Sequence, residues 1–208
     1  MANETFLGHT YTTPVRVRIN APAFTSDTLN LRLQSVSTGV SRYEFDISFL
    51  GDRTSDLHMD ILRHYTKYGV HTAFDIPAPQ NANVEQRLDF ETGVLTVDTD
   101  ASAGDTEVRV VPSNAQVGGY TIPAGLFIRF TNHPKLYQVA EDATTTSNLG
   151  TVNVKLTIPL TNDVPHTSTT MRFRSVNASV KHDSSNNSLE YTDGVLQRGT
   201  FRFIENLL

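Results

Sequence analysis

Residues 122–139 read IPAGLFIRFTNHPKLYQV, and they predict an antiparallel β-hairpin. Side chains alternate over residues 127–131 at the period of a strand, and residues 136–139 form a second, shorter strand-like run. Gly125 lies just before the first run and indicates a turn there, because glycine admits a positive φ. Asn-His-Pro at residues 132–134 separates the two runs as a turn, because proline fixes φ and asparagine tolerates turn geometry. The neighbouring segments read as strands that enter or leave this hairpin, so the stretch predicts a mainly β fold.

The composition excludes several classes of protein. The chain has 208 residues and a mean hydropathy of -0.28, and no apolar run approaches the roughly 18 residues of a membrane-spanning helix. Residues 1–4 lack the features of a signal peptide, so we expect a protein that is made and used without export and has no membrane partner. The absence of cysteine excludes disulfides, a cysteine nucleophile and thiolate-bound metals. A net charge of -5 argues against duplex-DNA binding.

Three stretches before the hairpin alternate strictly between apolar and polar residues. They cover residues 15–19, 29–34 and 43–49, and each predicts a strand with one buried face. A helix follows them, with Thr54 or Ser55 as its N-cap and Gly69 as the residue that ends it.

The predicted helix has an apolar side that we expect to cover the first strands. Its apolar residues at helical spacing are Leu57, Ile61, Leu62, Tyr65 and Tyr68. Its polar residues are His58, Asp60, Arg63 and His64. A functional site on the polar residues is the alternative to an ordinary solvated surface, which any surface helix shows.

The chain after the helix divides into two further parts. Residues 71–76 predict a strand, and the stiff, polar PAPQNAN at 77–83 is typical of a connection between domains. Short strands with frequent turns then predict a small barrel or sandwich; they are residues 94–97, 107–111, the hairpin, and 151–158. The last predicted strands are residues 171–176, 188–191 and 201–204. The simplest topology returns these last strands to the first sheet, which makes the middle segment an insertion.

Two short motifs point to a family. Gly125-Leu126-Phe127 and the TNHPKLY of residues 131–137 fit the pattern G-x-F…T-x-H-P-K-[LV]-Y. With the order of strands, one helix, a strand ending in Pro77-Ala78-Pro79 and an inserted barrel, the chain resembles the distal tail proteins of long-tailed siphophages. The likeness is closest to the short, two-domain type from phages of Gram-negative hosts, and it covers most of the chain in architecture.

The resemblance implies a structural virion protein. Such proteins form a hexameric ring at the distal end of the tail, where they join the tail tube protein to the baseplate hub protein or receptor-binding apparatus and leave a channel for DNA. It implies a tail-tube-like β-sandwich domain from residues 1–86 and 166–208, which forms the ring. Residues 87–165 would form an inserted barrel similar to the oligonucleotide/oligosaccharide-binding (OB) fold. The expected location is the virion tail tip, after synthesis in the host cytoplasm, and tail fibre proteins are further candidate partners.

The residues that could carry chemistry show no pattern typical of a catalytic or metal site. The seven histidines lack metal-ligand spacing such as H-E-x-x-H, and no nucleophile or phosphate-loop motif is present. Asp98/Asp100 and Glu141/Asp142 are paired carboxylates in turn-rich stretches, where solvated charge is the ordinary explanation and glycosidase chemistry the alternative. We therefore assign no catalytic, cofactor-binding or metal residue. We predict that the protein is not an enzyme and needs no cofactor.

The barrel raises a nucleic-acid alternative. An OB-like barrel that binds single strands displays basic residues among exposed aromatics, and the local candidates are Phe127, Arg129 and Tyr137. Phe127 lies on the strand face opposite Ile128 and Phe130, and the pattern leaves open which of these faces is core. We favour packing, and hence no specific nucleic-acid binding. A carbohydrate- or fibre-binding module of the tail tip is the alternative function, and an enzyme is the third hypothesis.

Overall fold

The computed structural model of the protein describes residues 5–6, 9–10, 15–27, 33–37, 41–50, 57–79, 94–112, 119–147, 149–183, 188–192 and 195–207. Within these ranges the fold is mainly β with one short helix. In chain order the elements are β1 (Thr5–Phe6), β2 (His9–Thr10), β3 (Arg16–Asn20), β4 (Ala23–Asp27), β5 (Leu33–Ser37), β6 (Arg42–Leu50), α1 (Leu57–Tyr68), β7 (Phe74–Pro77), β8 (Val94–Val97), β9 (Glu107–Pro112), β10 (Tyr120–Ile122), β11 (Phe127–Phe130), β12 (Leu136–Gln138), β13 (Ala143–Thr145), β14 (Val152–Lys155), β15 (Thr170–Arg172), β16 (Asn177–His182), β17 (Ser188–Thr192) and β18 (Val195–Glu205).

The first sheet is antiparallel and has the strand order β3-β6-β18-β16-β7, with β17 paired to the first part of β18. Side chains alternate along each strand, so the sheet has one buried face and one outer face. Phe45 lies directly opposite Phe203 and both are completely buried, whereas Glu44 and Arg202 point to the other face and form an ion pair. The buried face belongs to one hydrophobic cluster that also contains Ile47.

The second sheet is also antiparallel and has the order β12-β11-β15-β8-β9-β14. Its two edge strands meet beyond their ends, where Val139 bridges Leu156 and the amide of Ala140 donates to the carbonyl of Lys155 at 2.8 Å. The sheet therefore curls into a half-barrel around a second hydrophobic cluster, and this contact protects part of its edges. Two-stranded sheets β1-β2, β4-β5 and β10-β13 complete the described elements.

Most of the predicted elements are confirmed. The hairpin forms from β11 and β12, with Ile128 opposite Tyr137, and Gly125 before it has a positive φ of 84°. The helix ends before Gly69, whose φ of 53° is the left-handed conformation expected there. The predicted N-caps Thr54 and Ser55 and residues 29–32 lie outside the described part of the chain, as do the side chains of Leu57, His58, Ile61 and Leu62.

One strand assignment is wrong. The sequence places residues 171–176 in the first sheet, but β15 pairs with β8 and β11 of the second sheet, with Met171 opposite Leu95 and Phe130. Met171 and Phe173 are completely buried in the cluster of the second sheet, which holds this segment there. The chain returns to the first sheet only at β16. The domain boundaries at residues 86 and 165 remain predictions.

Candidate functional site

The hairpin lies at the contact between the two sheets. Phe127 and Leu136 belong to the hydrophobic cluster of the first sheet, whereas Ile128 and Phe130 belong to that of the second. Strand β11 is therefore buried on both faces, because it packs on its own sheet's core with one face and on the neighbouring core with the other. Both faces of the strand are therefore core. Phe127 and Tyr137 are 8% and 0% exposed, which confirms the prediction that these aromatic side chains pack in the interior.

A buried ion pair joins the sheets at this point. Lys135 Nζ lies 2.6 Å from Glu205 Oε2, and the two side chains are 1% and 0% exposed. The same carboxylate accepts the backbone N–H of Leu136 at 2.6 Å and that of Tyr43 at 2.9 Å. Lys135 also lies 4.8 Å from the centre of the Tyr43 ring, within cation–π distance. We call the following five residues the junction: Tyr43, Phe127, Lys135, Leu136 and Glu205.

Burial shifts the pKa values of both charged side chains of the junction. Loss of water lowers the pKa of the Lys135 ammonium and raises the pKa of the Glu205 carboxyl, and in each case the opposite charge of the partner acts against the effect of burial. Three donors surround the Glu205 carboxylate, so both of its oxygens are bonded. Each charge is therefore compensated only as long as the other is present.

The turn of the hairpin is held by a second set of hydrogen bonds. His133 Nε2 lies 2.8 Å from the Tyr137 hydroxyl, which also lies 3.1 Å from Thr161 Oγ1. Burial lowers the pKa of His133 to about 4, with Arg129 and Lys135 adding to the effect, so this imidazole is neutral near pH 7. Asn132 donates to the backbone oxygen of Asp163 at 2.7 Å. The TNHPKLY segment thus acts as a rigid structural turn.

Two more histidines form a buried pair between helix α1 and strand β16. His64 Nδ1 and His182 Nε2 are 3.2 Å apart, and Phe74 packs against both rings at 4.4 Å and 5.0 Å between centroids. Burial lowers the pKa of each histidine to about 4, with Lys67 adding to the effect on His64 and His64 to that on His182. The grouping of His64 with the solvated polar residues of the helix is therefore wrong, because this side chain packs on the sheet.

We expect acid to destabilise the protein through these two histidines. Their folded pKa of about 4 lies below the ordinary 6.5, so the unfolded chain binds more protons between these values and falling pH favours it. The loss is on the order of 2 kcal/mol per histidine, after allowance for screening by solvent. Urea unfolding at about pH 7 and about pH 4.5 measures the change in free energy of unfolding.

The matched variants for this experiment are His64→Phe and His71→Gln. His64→Phe removes one titrating group from an aromatic cluster and reduces the pH dependence, while His71→Gln replaces an exposed histidine outside the pair and is the control. His133 keeps part of the acid sensitivity in both variants. Equal pH dependence in the wild type and His64→Phe would contradict the assignment to this pair.

The paired carboxylates of the sequence do not form acid–base pairs with each other. Asp98 binds Arg109 at 2.9 Å and Asp100 binds His166 at 2.8 Å. Glu141 binds Lys155 at 2.7 Å. Asp142 accepts the backbone N–H of Ala124 at 2.7 Å. Each of the four carboxylates therefore has its own separate partner at the surface.

Sequence reasoning missed Glu205 and His182. Both carried a signal, since alternation along β18 puts Glu205 on the same face as Phe201 and Phe203, and alternation along β16 puts His182 on the face of Val180. A charged or polar residue at an apolar position of a strand indicates a buried partner. The identity of the partner, Lys135 or His64, comes only from the fold.

Comparison of the sequence with protein-family models and with curated proteins finds no match. In the described ranges no group of three or more histidine or carboxylate side chains could hold a metal ion. Helix α1, with 12 residues, is too short and too polar to cross a membrane, and no other described segment forms a spanning helix.

Proposed function

We propose that this chain is a structural protein of a phage tail, which assembles into a six-membered ring between the tail tube and the baseplate hub. The observation that carries the proposal is the strand order. β3 and β6 from one end of the chain and β16 and β18 from the other build the first sheet, and the second sheet lies between them in sequence. That arrangement agrees with what the resemblance to distal tail proteins implies.

Within this proposal the first sheet belongs to a tail-tube-like sandwich domain that builds the ring, and the second is an inserted OB-like barrel outside it. The half-barrel curl of the second sheet supports this reading. The junction supports it too, because a buried ion pair with two backbone hydrogen bonds fixes the direction in which the insert projects. A ring subunit that carries outer components needs such a fixed direction.

The outer face of the first sheet suits a DNA channel in this proposal. Arg202 pairs with Glu44 and Asp46, and Arg18 pairs with Asp46, so these two arginines of the face are compensated by carboxylates. Each free cation on a channel wall would add affinity for phosphate and slow the passage of DNA. The ion pairs of Arg18 and Arg202 reduce this attraction.

The charge argument predicts no measurable binding to duplex DNA near physiological salt. A gel-shift titration of the purified protein on a short duplex, repeated at several salt concentrations, measures it. Since phosphate contacts make binding fall steeply with salt, a salt-sensitive shift at about micromolar protein would contradict the prediction and favour the nucleic-acid alternative.

Electron microscopy tests the ring directly. We expect six-fold rings with a central hole when the purified protein is imaged with its tail tube and hub proteins, and light scattering gives the mass of the assembly. The tube protein alone is the control, because tube proteins form rings of their own. Protein that stays monomeric in the presence of both partners would contradict the proposal. Dilute protein without partners is a weaker test, since a partner can be needed to nucleate the ring.

A further inference from the structure

A cleft of about 370 Å³ lies where the second sheet approaches β7, the edge strand of the first sheet. Its polar lining residues are Asp75, Arg129, Thr131, Arg172, Ser175 and Asn177. This volume is within the range of small-molecule sites, roughly 300–1,000 Å³. The cleft is separate from the junction residues and plays no part in the ring proposal.

Two arginines stand side by side in this cleft. Arg129 on β11 and Arg172 on β15 are direct partners in the antiparallel register, so their side chains leave the sheet on the same face, and both line the cleft. Like charges directly opposite each other on neighbouring strands are destabilising. An anion between the two guanidinium groups would remove this repulsion.

Among the described residues that line the cleft, Asp75 carries the one compensating carboxylate. Arg129 Nη1 lies 3.5 Å from Asp75 Oδ2 and donates to the backbone oxygen of Asn177 at 3.2 Å. Arg172 is exposed, and its side chain forms no hydrogen bond or ion pair within the part of the chain that the structure describes. The cleft therefore holds one positive charge in excess, on a side chain with five donors in a planar fork.

Backbone strain marks the same place. Ser175 has a φ of 49°, and it is the one non-glycine residue with a positive φ among the described residues. Such backbone strain is unfavourable and is concentrated at ligand clamps and other functional sites. Ser175 is exposed at the wall of the cleft, where its hydroxyl is available as a further donor.

We propose that this cleft is an oxyanion-binding site, which takes one carboxylate or phosphate group of a small ligand on Arg172, with Arg129 and Ser175 beside it. A guanidinium binds either group through two parallel N–H···O bonds. The rest of the ligand occupies the remaining volume of the cleft, against Thr131 and Asn177.

The test is an NMR titration of the full ¹⁵N-labelled chain with inorganic phosphate and, separately, with acetate. We expect saturable shifts confined to the amides of residues 129–131 and 172–177. Tighter binding of phosphate assigns a phosphate-bearing ligand, and tighter binding of acetate assigns a carboxylate-bearing one. No saturable, localised shift with either probe up to about 50 mM, well above the millimolar range of weak sites, would overturn the proposal.

Three variants separate the site from general charge. Arg172→Gln is expected to weaken binding at least tenfold without lowering the thermal unfolding midpoint, because the exposed side chain of Arg172 has no partner among the described residues and its loss relieves the repulsion from Arg129. Arg109→Gln removes an exposed arginine of the same sheet, outside the cleft, and leaves binding unchanged. Arg172→Lys keeps the charge without the planar fork, and it gives an intermediate affinity. Equal losses in Arg172→Gln and Arg109→Gln would overturn the proposal.

Discussion

Lys135→Met is expected to lower the free energy of unfolding by about 3–5 kcal/mol. The substitution keeps the length and apolar stem of the side chain but leaves the Glu205 carboxylate completely buried without its cation. The two backbone N–H groups that remain, those of Tyr43 and Leu136, do not replace a full charge. Urea unfolding at neutral pH measures the loss.

Lys155→Met is the matched control. Lys155 lies 2.7 Å from Glu141, almost the same distance as in the buried pair, but both side chains are at least half exposed. Solvent already stabilises such charges, so the control costs less than about 1 kcal/mol. The double variant Lys135→Met/Glu205→Gln is expected to be more stable than Lys135→Met, since it removes the unpaired charge. Equal losses in Lys135→Met and Lys155→Met would show that the junction contributes no more than a surface contact.

Periodicity explains which parts of the fold could be predicted. The strands β3, β6 and β11 and the helix α1 were predicted because their apolar period is long and regular. Period gives the type of an element, but it does not give the neighbouring strand, and along β11 it does not show which face is core because both are buried. The segment Thr170–Arg172 is the clearest case, since it is strand-like in sequence and yet pairs with β8 and β11 of the second sheet.

The site was predictable only in part. The sequence of the TNHPKLY segment predicts its turn, because Asn132 and Pro134 favour turn geometry. The role of Lys135 was not visible, because its partner Glu205 is 70 residues away along the chain and a lysine after a turn is usually solvated. Arg129 and Arg172 are likewise ordinary surface residues until the register places them opposite each other. Pairing at long range is the information that a single sequence lacks.

The position of β15 gives the second large prediction, which concerns excision of the middle segment. A chain of residues 87–165 is expected to lack cooperative unfolding, whereas a chain of residues 87–175 is expected to fold alone. β15 lies between β11 and β8 in the second sheet, so its loss divides the sheet and exposes two strand edges. The shorter chain also loses Met171 and Phe173 from the core, at about 2–5 kcal/mol each. Together these losses approach the whole stability of a typical domain, about 5–15 kcal/mol.

Circular dichroism melts and light scattering on the two chains measure this difference. A cooperative melt of the 87–165 chain at the same temperature as the longer one would show that β15 is not an integral strand. The longer chain also tests the role of the junction. It lacks Glu205, so the Lys135 side chain becomes exposed to solvent. Lys135→Met should then be nearly neutral in residues 87–175 and costly only in the full chain. A large loss in both would mean that Lys135 stabilises the second sheet itself rather than its contact with the first.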